Sequence, residues 1–184
     1  MLEVNFSPFP EIRTQRLLLR RITKADAPAV LAMRSNEDVM QYIDRPLLKS
    51  IEDAEAWIKI VDAALESNNG INWAIALATE PDIQIGTVGF WRLIKEHYRA
   101  EVGYMLNSAY WRKGIMKEAL LAVHDFGFKE MKLHSIEAHI NPANAASAAI
   151  LESAGYTREA YFKEDYYFKG TFLDSAIYSL LTDQ

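Results

Sequence analysis

The chain has 184 residues, 20 of them basic and 25 acidic, for a formal charge of −5; half are apolar, 11% aromatic and 24% charged. Those fractions fit an ordinary globular protein and exclude a disordered chain, a collagen or a fibre, while the net acidity speaks against a general nucleic-acid binder. The absence of cysteine excludes a disulfide framework, a thiolate nucleophile and a Cys-bearing zinc site.

In chain order, Met1-Leu-Glu-Val-Asn-Phe-Ser-Pro8 lacks a basic region followed by an apolar run, so no signal peptide is expected and cytoplasm is the default compartment. This opening segment, with Pro8 and Pro10, is expected to cross the surface. Arg16–Ile22 reads as a strand. Thr23 fits a helix N-cap before Ala27–Arg34, and Asp44-Arg-Pro46 is a break. Ser50 caps a second helix in which Ile51, Ala54, Trp57, Ile58 and Val61 recur at helical spacing. After Asn68-Asn-Gly70, three strands are predicted over 71–78, 83–93 and 97–106, joined as antiparallel hairpins. A helix over 114–128, a strand over 133–140 and a helix over 143–153 ending before Gly155 follow. Two strands, 156–163 and 172–181, close the chain around Lys169-Gly170. This order predicts an α/β (α+β) fold with a mixed sheet. At roughly 150 residues per domain, one domain spanning residues 1–184 is expected. No run approaches the roughly 18 apolar residues of a membrane span.

Two segments carry chemistry. In Glu101-Val-Gly-Tyr-Met-Leu-Asn-Ser-Ala-Tyr-Trp-Arg-Lys-Gly-Ile-Met-Lys-Glu-Ala119, a strand runs through a short loop into a helix start. The first turn of a helix has free N–H groups and the positive end of the macrodipole. Gly114 permits close approach, and Arg112, Lys113 and Lys117 add three cations, which suits a phosphate or pyrophosphate. A basic helix start by itself is more often a solvated surface. Walker and dinucleotide glycine patterns are absent. In the second segment, Ile136 to Tyr156, a strand meets a small-residue helix. Asn144 and Ser147, three apart, share a face near its start; taken alone, Asn144 reads as a helix cap and Ser147 as a neutral helix residue.

In this order and spacing, the two segments resemble the GCN5-related N-acetyltransferase (GNAT) family, and within it the RimJ/RimL branch of ribosomal-protein N-terminal acetyltransferases. Thr14-Gln-Arg-Leu-Leu-Leu-Arg20, Ala100-Glu-Val-Gly-Tyr104, Trp111-Arg-Lys-Gly-Ile-Met-Lys-Glu-Ala119, Asn144-Ala-Ala-Ser147, Ala154-Gly-Tyr156 and Lys169-Gly-Thr-Phe-Leu-Asp174 carry the likeness. It spans about residues 13 to 181. It implies a mostly antiparallel sheet of about seven strands with one splayed parallel pair, flanked by about four helices.

The resemblance implies acetyl-CoA as cosubstrate, lying between the strands that end at Leu106 and Ile140. Tyr104, Met105 and Leu106 would offer backbone groups to the pantetheine around a β-bulge. The N–H groups of Arg112, Lys113, Gly114, Ile115, Met116 and Lys117 would hold the pyrophosphate. Asn141 and Asn144 would contact the cofactor arm, and Ser147 would protonate the departing thiolate. The sequence departs from the family's pattern at Trp111, Arg112 and Met116 in the loop. Leu151 stands where many members carry a tyrosine acid, so Ser147 inherits that role. A neutral amine would attack directly. Parity places Ser135, Glu137, His139 and Asn141 on one face, and a water-mediated relay through Glu101 or His139 would take the amine proton.

The expected acceptor is a protein or peptide N-terminus; a small amine, or a non-catalytic acyl-CoA sensor, is the alternative. His97 and His124 lack ligand spacing, so no metal is expected. Tyr161, Phe162, Tyr166, Tyr167 and Phe168 are expected mainly in the core, with some walling the acceptor channel by the family likeness. Neither a nucleic-acid nor a membrane partner is expected, and the chain is expected to be a monomer or homodimer.

Overall fold

The computed structural model describes residues 1–182. Strands β1 (Ile12–Arg13) and β2 (Leu17–Arg21) lead into helices α1 (Ala27–Arg34), α2 (Glu37–Met40) and α3 (Ile51–Glu66). Strands β3 (Ile71–Leu77), β4 (Gly86–Ile94) and β5 (Arg99–Leu106) come next, then α4 (Ile115–Lys129), β6 (Ser135–Ile140) and α5 (Ala145–Ser153). The hairpin β7 (Thr157–Phe168) and β8 (Thr171–Leu181) completes the described chain. One eight-stranded sheet runs β1-β2-β3-β4-β5-β6-β8-β7. Among the described residues, only β5 and β6 pair in parallel. The mixed, mostly antiparallel sheet is therefore as expected. The extra elements, β1 and α2, span two and four residues, too short to show a period.

The predicted Ser50 cap forms, whereas Thr23 opens a 3₁₀ turn (Lys24–Asp26) and Asp26 stands at the N-cap of α1. Ser50 and Asp53 make a reciprocal box, Asp53 N–H donating to Ser50 Oγ at 3.2 Å and Ser50 N–H to Asp53 Oδ2 at 3.1 Å. That start phases α3 so that Ala54 and Ile58 are buried against Ile22, Val30 and Ala74. On the opposite face of the sheet, Ile115, Ala119, Leu120 and Val123 of α4 and Leu151 of α5 pack on Trp73, Val88 and Phe90. Trp73 meets Phe126 edge-on at 5.3 Å, a favoured aromatic geometry.

Two expectations are corrected. The opening segment is part of the core: Leu2 and Phe6 are buried, and the Trp73 indole N–H donates to the Pro10 carbonyl at 2.7 Å. Conversely, Tyr161, Phe162 and Tyr167 are exposed rather than core. They lie on β7, an edge strand with β8 on one side only, so much of their surface has nothing to pack against.

The sheet parts in its middle. β5 and β6 pair only at Arg99↔Ser135, Ala100↔Ile136 and Glu101↔Glu137, while β5 continues to Leu106 and β6 to Ile140 on their outer neighbours. A bulge inserts Trp91 into β4 opposite Glu101 and Val102, at the level where the parallel pairing ends. Bulges bend and twist a strand locally, which turns the far half of β5 away from β6.

Candidate active site

Beyond Glu101 and Glu137 the parted strands open a cleft of 1590 Å³. Because strand side chains alternate, β5 shows a different surface to each layer. Met105, on the Glu101 face, packs with Met33 and Met40 of α1 and α2; Val102 and Leu106 pack in the α4 layer. Tyr104 shares that second face.

At one end of the cleft is the start of α4. Gly114 caps it at φ +72°, a left-handed conformation that side chains disfavour. The first amide with a backbone partner is Glu118, which donates to the Gly114 carbonyl at 3.1 Å. Among the described residues, the N–H groups of Ile115, Met116 and Lys117 have no backbone acceptor. Arg112, Gly114, Ile115, Met116 and Lys117 border the cleft. Met116 nevertheless has its bulk in the main core, with 4% of its surface exposed. Lys113 does not border the cleft: its ammonium donates to the Ala109 carbonyl at 2.9 Å and lies 5.2 Å from the Tyr110 ring centroid.

Midway, the Tyr104 hydroxyl and Ser147 Oγ are 2.5 Å apart. Burial pushes the Tyr104 pKa up to about 12, so the phenol stays protonated. Leu151 is fully buried and faces the core rather than the cleft. The Asn144 side-chain oxygen accepts from Ser147 N–H at 3.0 Å, so it acts as a cap and only its amide hydrogens remain to donate elsewhere. Asn141 likewise accepts from Ala143 N–H at 2.9 Å. The bulge expected around Tyr104, Met105 and Leu106 is absent. These residues stay in register with Val88, Thr87 and Gly86, and the bulge lies in β4. Parting from β6 exposes their edge instead.

At the point of divergence, Glu101, Glu137 and His139 each bring a side-chain N or O atom within 4.8 Å of the others. Arg92 reaches toward both carboxylates, 3.6 Å from each. Arg99 pairs with Glu137, and His139 Nε2 lies 3.5 Å from Glu137 Oε1. Glu101 Oε2 and Glu137 Oε1 are buried without a hydrogen-bond partner. Burial holds the Glu101 carboxyl above the usual carboxylate range, against the pull of His139 and Arg92. Trp91 from the bulge lies against Gly103, where an added Cβ would come within 3.2 Å of its Cδ1.

The chain matches the acetyltransferase (GNAT) domain family over residues 16–157. It belongs to the GNAT acetyltransferase family. It is 35% identical to the uncharacterised N-acetyltransferase YoaA of Bacillus subtilis, over 94% of this chain and 97% of that one. A GNAT-family acetyltransferase structure from Bacillus anthracis superposes with a TM-score of 0.84 at 33% identity, covering 94% and 98% of the two chains. RimL, a ribosomal L7/L12 alpha-N-protein acetyltransferase solved with coenzyme A, shares the fold at a TM-score of 0.85 and 20% identity, covering 95% and 99%. The protein is thus an N-acetyltransferase enzyme.

In this GNAT enzyme the structure brings Tyr104, Asn141, Asn144, Ser147, Glu101, His139 and the α4 start to one cleft. Trp91 also borders the cleft, and Glu137 and Arg92 lie behind its edge, against Glu101 and His139. Only the parity that places Glu137 beside His139 hinted at Glu137 from sequence, and nothing hinted at Arg92. The site fits a pantetheine diphosphate on its own terms: a free strand edge, open amides at a helix start, and a hydroxyl pair between them. Among the described residues, no helix is long and apolar enough to cross a membrane.

Proposed function

We infer that the protein transfers an acetyl group from acetyl-CoA to a primary amine, with a protein or peptide N-terminus as acceptor. One observation carries this reading: the hydroxyl pair Tyr104–Ser147 and the carboxylate Glu101 belong to opposite faces of the same parted strand, at the edge of one gap. Donor and acceptor can then enter from different layers and meet between β5 and β6. Amides of Ile115, Met116 and Lys117, with Arg112 and Lys117 side chains, would hold the diphosphate. The free edge of Tyr104 to Leu106, with Asn141 and Asn144, would orient the pantetheine. Bound acetyl-CoA supplies the activated acyl group.

As the amine nitrogen bonds to the acetyl carbon and the carbon–sulfur bond breaks, Glu101 accepts the amine proton through water, with His139 and Glu137 beside it. Ser147 donates its hydroxyl proton to the leaving sulfur as Tyr104 passes its own proton to Ser147, and solvent water returns a proton to Tyr104 once the thiol has left. Holding the two reactants together can supply effective molarities of about 10⁵ M or more, so these proton transfers add to an already large positional effect. The test is thiol release from acetyl-CoA with peptides beginning Ala or Ser, beside a panel of polyamines and amino acids. Turnover on the peptides supports the reading, turnover on small amines alone redirects the acceptor, and no thiol release with any amine overturns it.

A further inference from the structure

Arg34 borders the cleft without a counter-charge among the described residues. Arg34, the last residue of α1, stacks its guanidinium 4.2 Å from the Trp57 ring centroid. It is half-buried, and among the described residues no carboxylate lies within 4.0 Å of it. Of the acids that border this part of the cleft, Asp38, Asp44 and Asp53, none forms an ion pair with Arg34. Asp53 accepts from the N–H groups of Lys49 and Ser50, and Asp44 bears on the Tyr166 hydroxyl. The charge that does bear on Arg34 is a like one, Arg45. Burial first, and Arg45 second, pull the Arg34 pKa down to about 10. The Leu48 amide donates to the Arg34 carbonyl at 3.1 Å, tying the segment that carries Arg45 to the end of α1.

A guanidinium withdrawn from water beside another cation is disfavoured unless something neutralises it. Its planar fork suits a carboxylate or phosphate bidentately and can stack on an aromatic ring at the same time. Arg34, Arg45 and Trp57 border the same cleft as Glu101. We propose that Arg34 and Arg45, on the Trp57 platform, bind an oxyanion carried by the amine acceptor, a carboxylate or a phosphate, while its amine lies toward Glu101. The acceptor class is then an amine bearing an acidic group: a peptide N-terminus followed by an acidic residue, an amino acid, or a phosphorylated amine. This rests on the acetyl-transfer reading and narrows it.

The test compares matched pairs that differ only in the oxyanion: Ser-Asp against Ser-Asn peptides, glycine against glycinamide, and O-phosphoethanolamine against ethanolamine. Wild-type kcat/KM should favour at least one anionic member by about tenfold or more, and the pair that does so names a carboxylate or a phosphate as the source. Arg34→Gln and Arg45→Gln should bring that ratio close to one, with Arg34→Lys between. Arg45 is exposed, so its variant reports even if the Arg34 variant folds poorly. Equal rates within every pair, or a preference that survives both glutamine variants, would overturn the subsite. Calorimetry with the same six compounds separates this from failure of the transfer chemistry. Anion binding that Arg34→Gln abolishes supports the subsite even without turnover, and no binding by any anionic member overturns it.

Discussion

Arg16 and Glu118, 102 residues apart, form a clamp beneath the proposed diphosphate loop. Arg16 Nε donates to Glu118 Oε2 at 2.6 Å, and the Arg16 amide donates to Glu118 Oε1 at 3.0 Å. Thr14 adds its hydroxyl to the same oxygen at 2.6 Å, and Arg16 Nη1 donates to the Lys113 carbonyl at 2.9 Å. The head of β2 thereby fixes both the first turn of α4 and the residue before its cap. The ion pair is about half exposed on its arginine side, and such pairs add little to global stability; its effect is local. Arg16→Ala should weaken acetyl-CoA binding by about tenfold, roughly 1.4 kcal/mol, with a nearly unchanged melting temperature. Calorimetry and a thermal melt check the two halves.

The loop cations should divide by placement. Arg112→Glu with Lys117→Glu is expected to raise the acetyl-CoA dissociation constant by one to two orders of magnitude, by replacing attraction with repulsion at an anion site (an order-of-magnitude expectation). Lys113→Glu should raise it far less, because the Lys113 ammonium is turned back onto Ala109. Equal losses from both would argue that the loop rearranges on binding.

Tyr104 and Ser147 should act as one donor. General acids contribute about 10²- to 10⁴-fold, so Ser147→Ala should lower kcat by about a hundredfold while coenzyme A affinity holds. Tyr104→Phe should do less, since Ser147 remains. The double variant should be scarcely worse than Ser147→Ala, because groups that work as a unit are non-additive. Steady-state kinetics of the three variants decides it.

Burial raises the Glu101 carboxyl, so its base form is reached only above the ordinary carboxylate range. The kcat/KM profile should therefore rise with pH across a limb displaced upward from that range. Glu101→Gln should lower the plateau by about a hundredfold and remove the limb.

His124 is a structural residue with a pH signature. It is buried, its Nε2 is 2.8 Å from the Tyr156 hydroxyl, and burial lowers its pKa to about 4. The unfolded chain takes up a proton near the ordinary histidine value of about 6.5, while the folded chain resists until about 4. The stability contribution is thus complete above about 6.5 and is lost as pH falls toward about 4, by on the order of 3 kcal/mol. Denaturant unfolding at about pH 7 and about pH 4.5 should show that loss in the wild type. His124→Gln should flatten it.

The order of elements was readable because each is set locally. Ser50 with Asp53, Asn68-Asn-Gly70 and Gly114 each mark a boundary through bonds or dihedrals within a few residues. Boundaries slipped where a turn competes with a strand. β5 starts at Arg99 because Lys95–His97 forms a 3₁₀ turn closed by Tyr98 at φ +53°. The aromatic run on β7 is exposed because β7 is the edge strand, and composition does not reveal which strand is the edge.

From sequence alone came the open helix start at Gly114, the Asn144 and Ser147 spacing, the parity of Glu137 and His139, and the sheet class. Tertiary structure decided that Trp91 bulges β4, that the Tyr104 hydroxyl rests on Ser147, that Glu137 faces Glu101, and that Arg16 holds Glu118. Periods and caps depend on neighbours a turn or a strand step away, so they are printed in short windows of the chain. The last three of these contacts join residues separated by 36 to 102 positions, and only closure of the sheet around its parted strands brings them within reach.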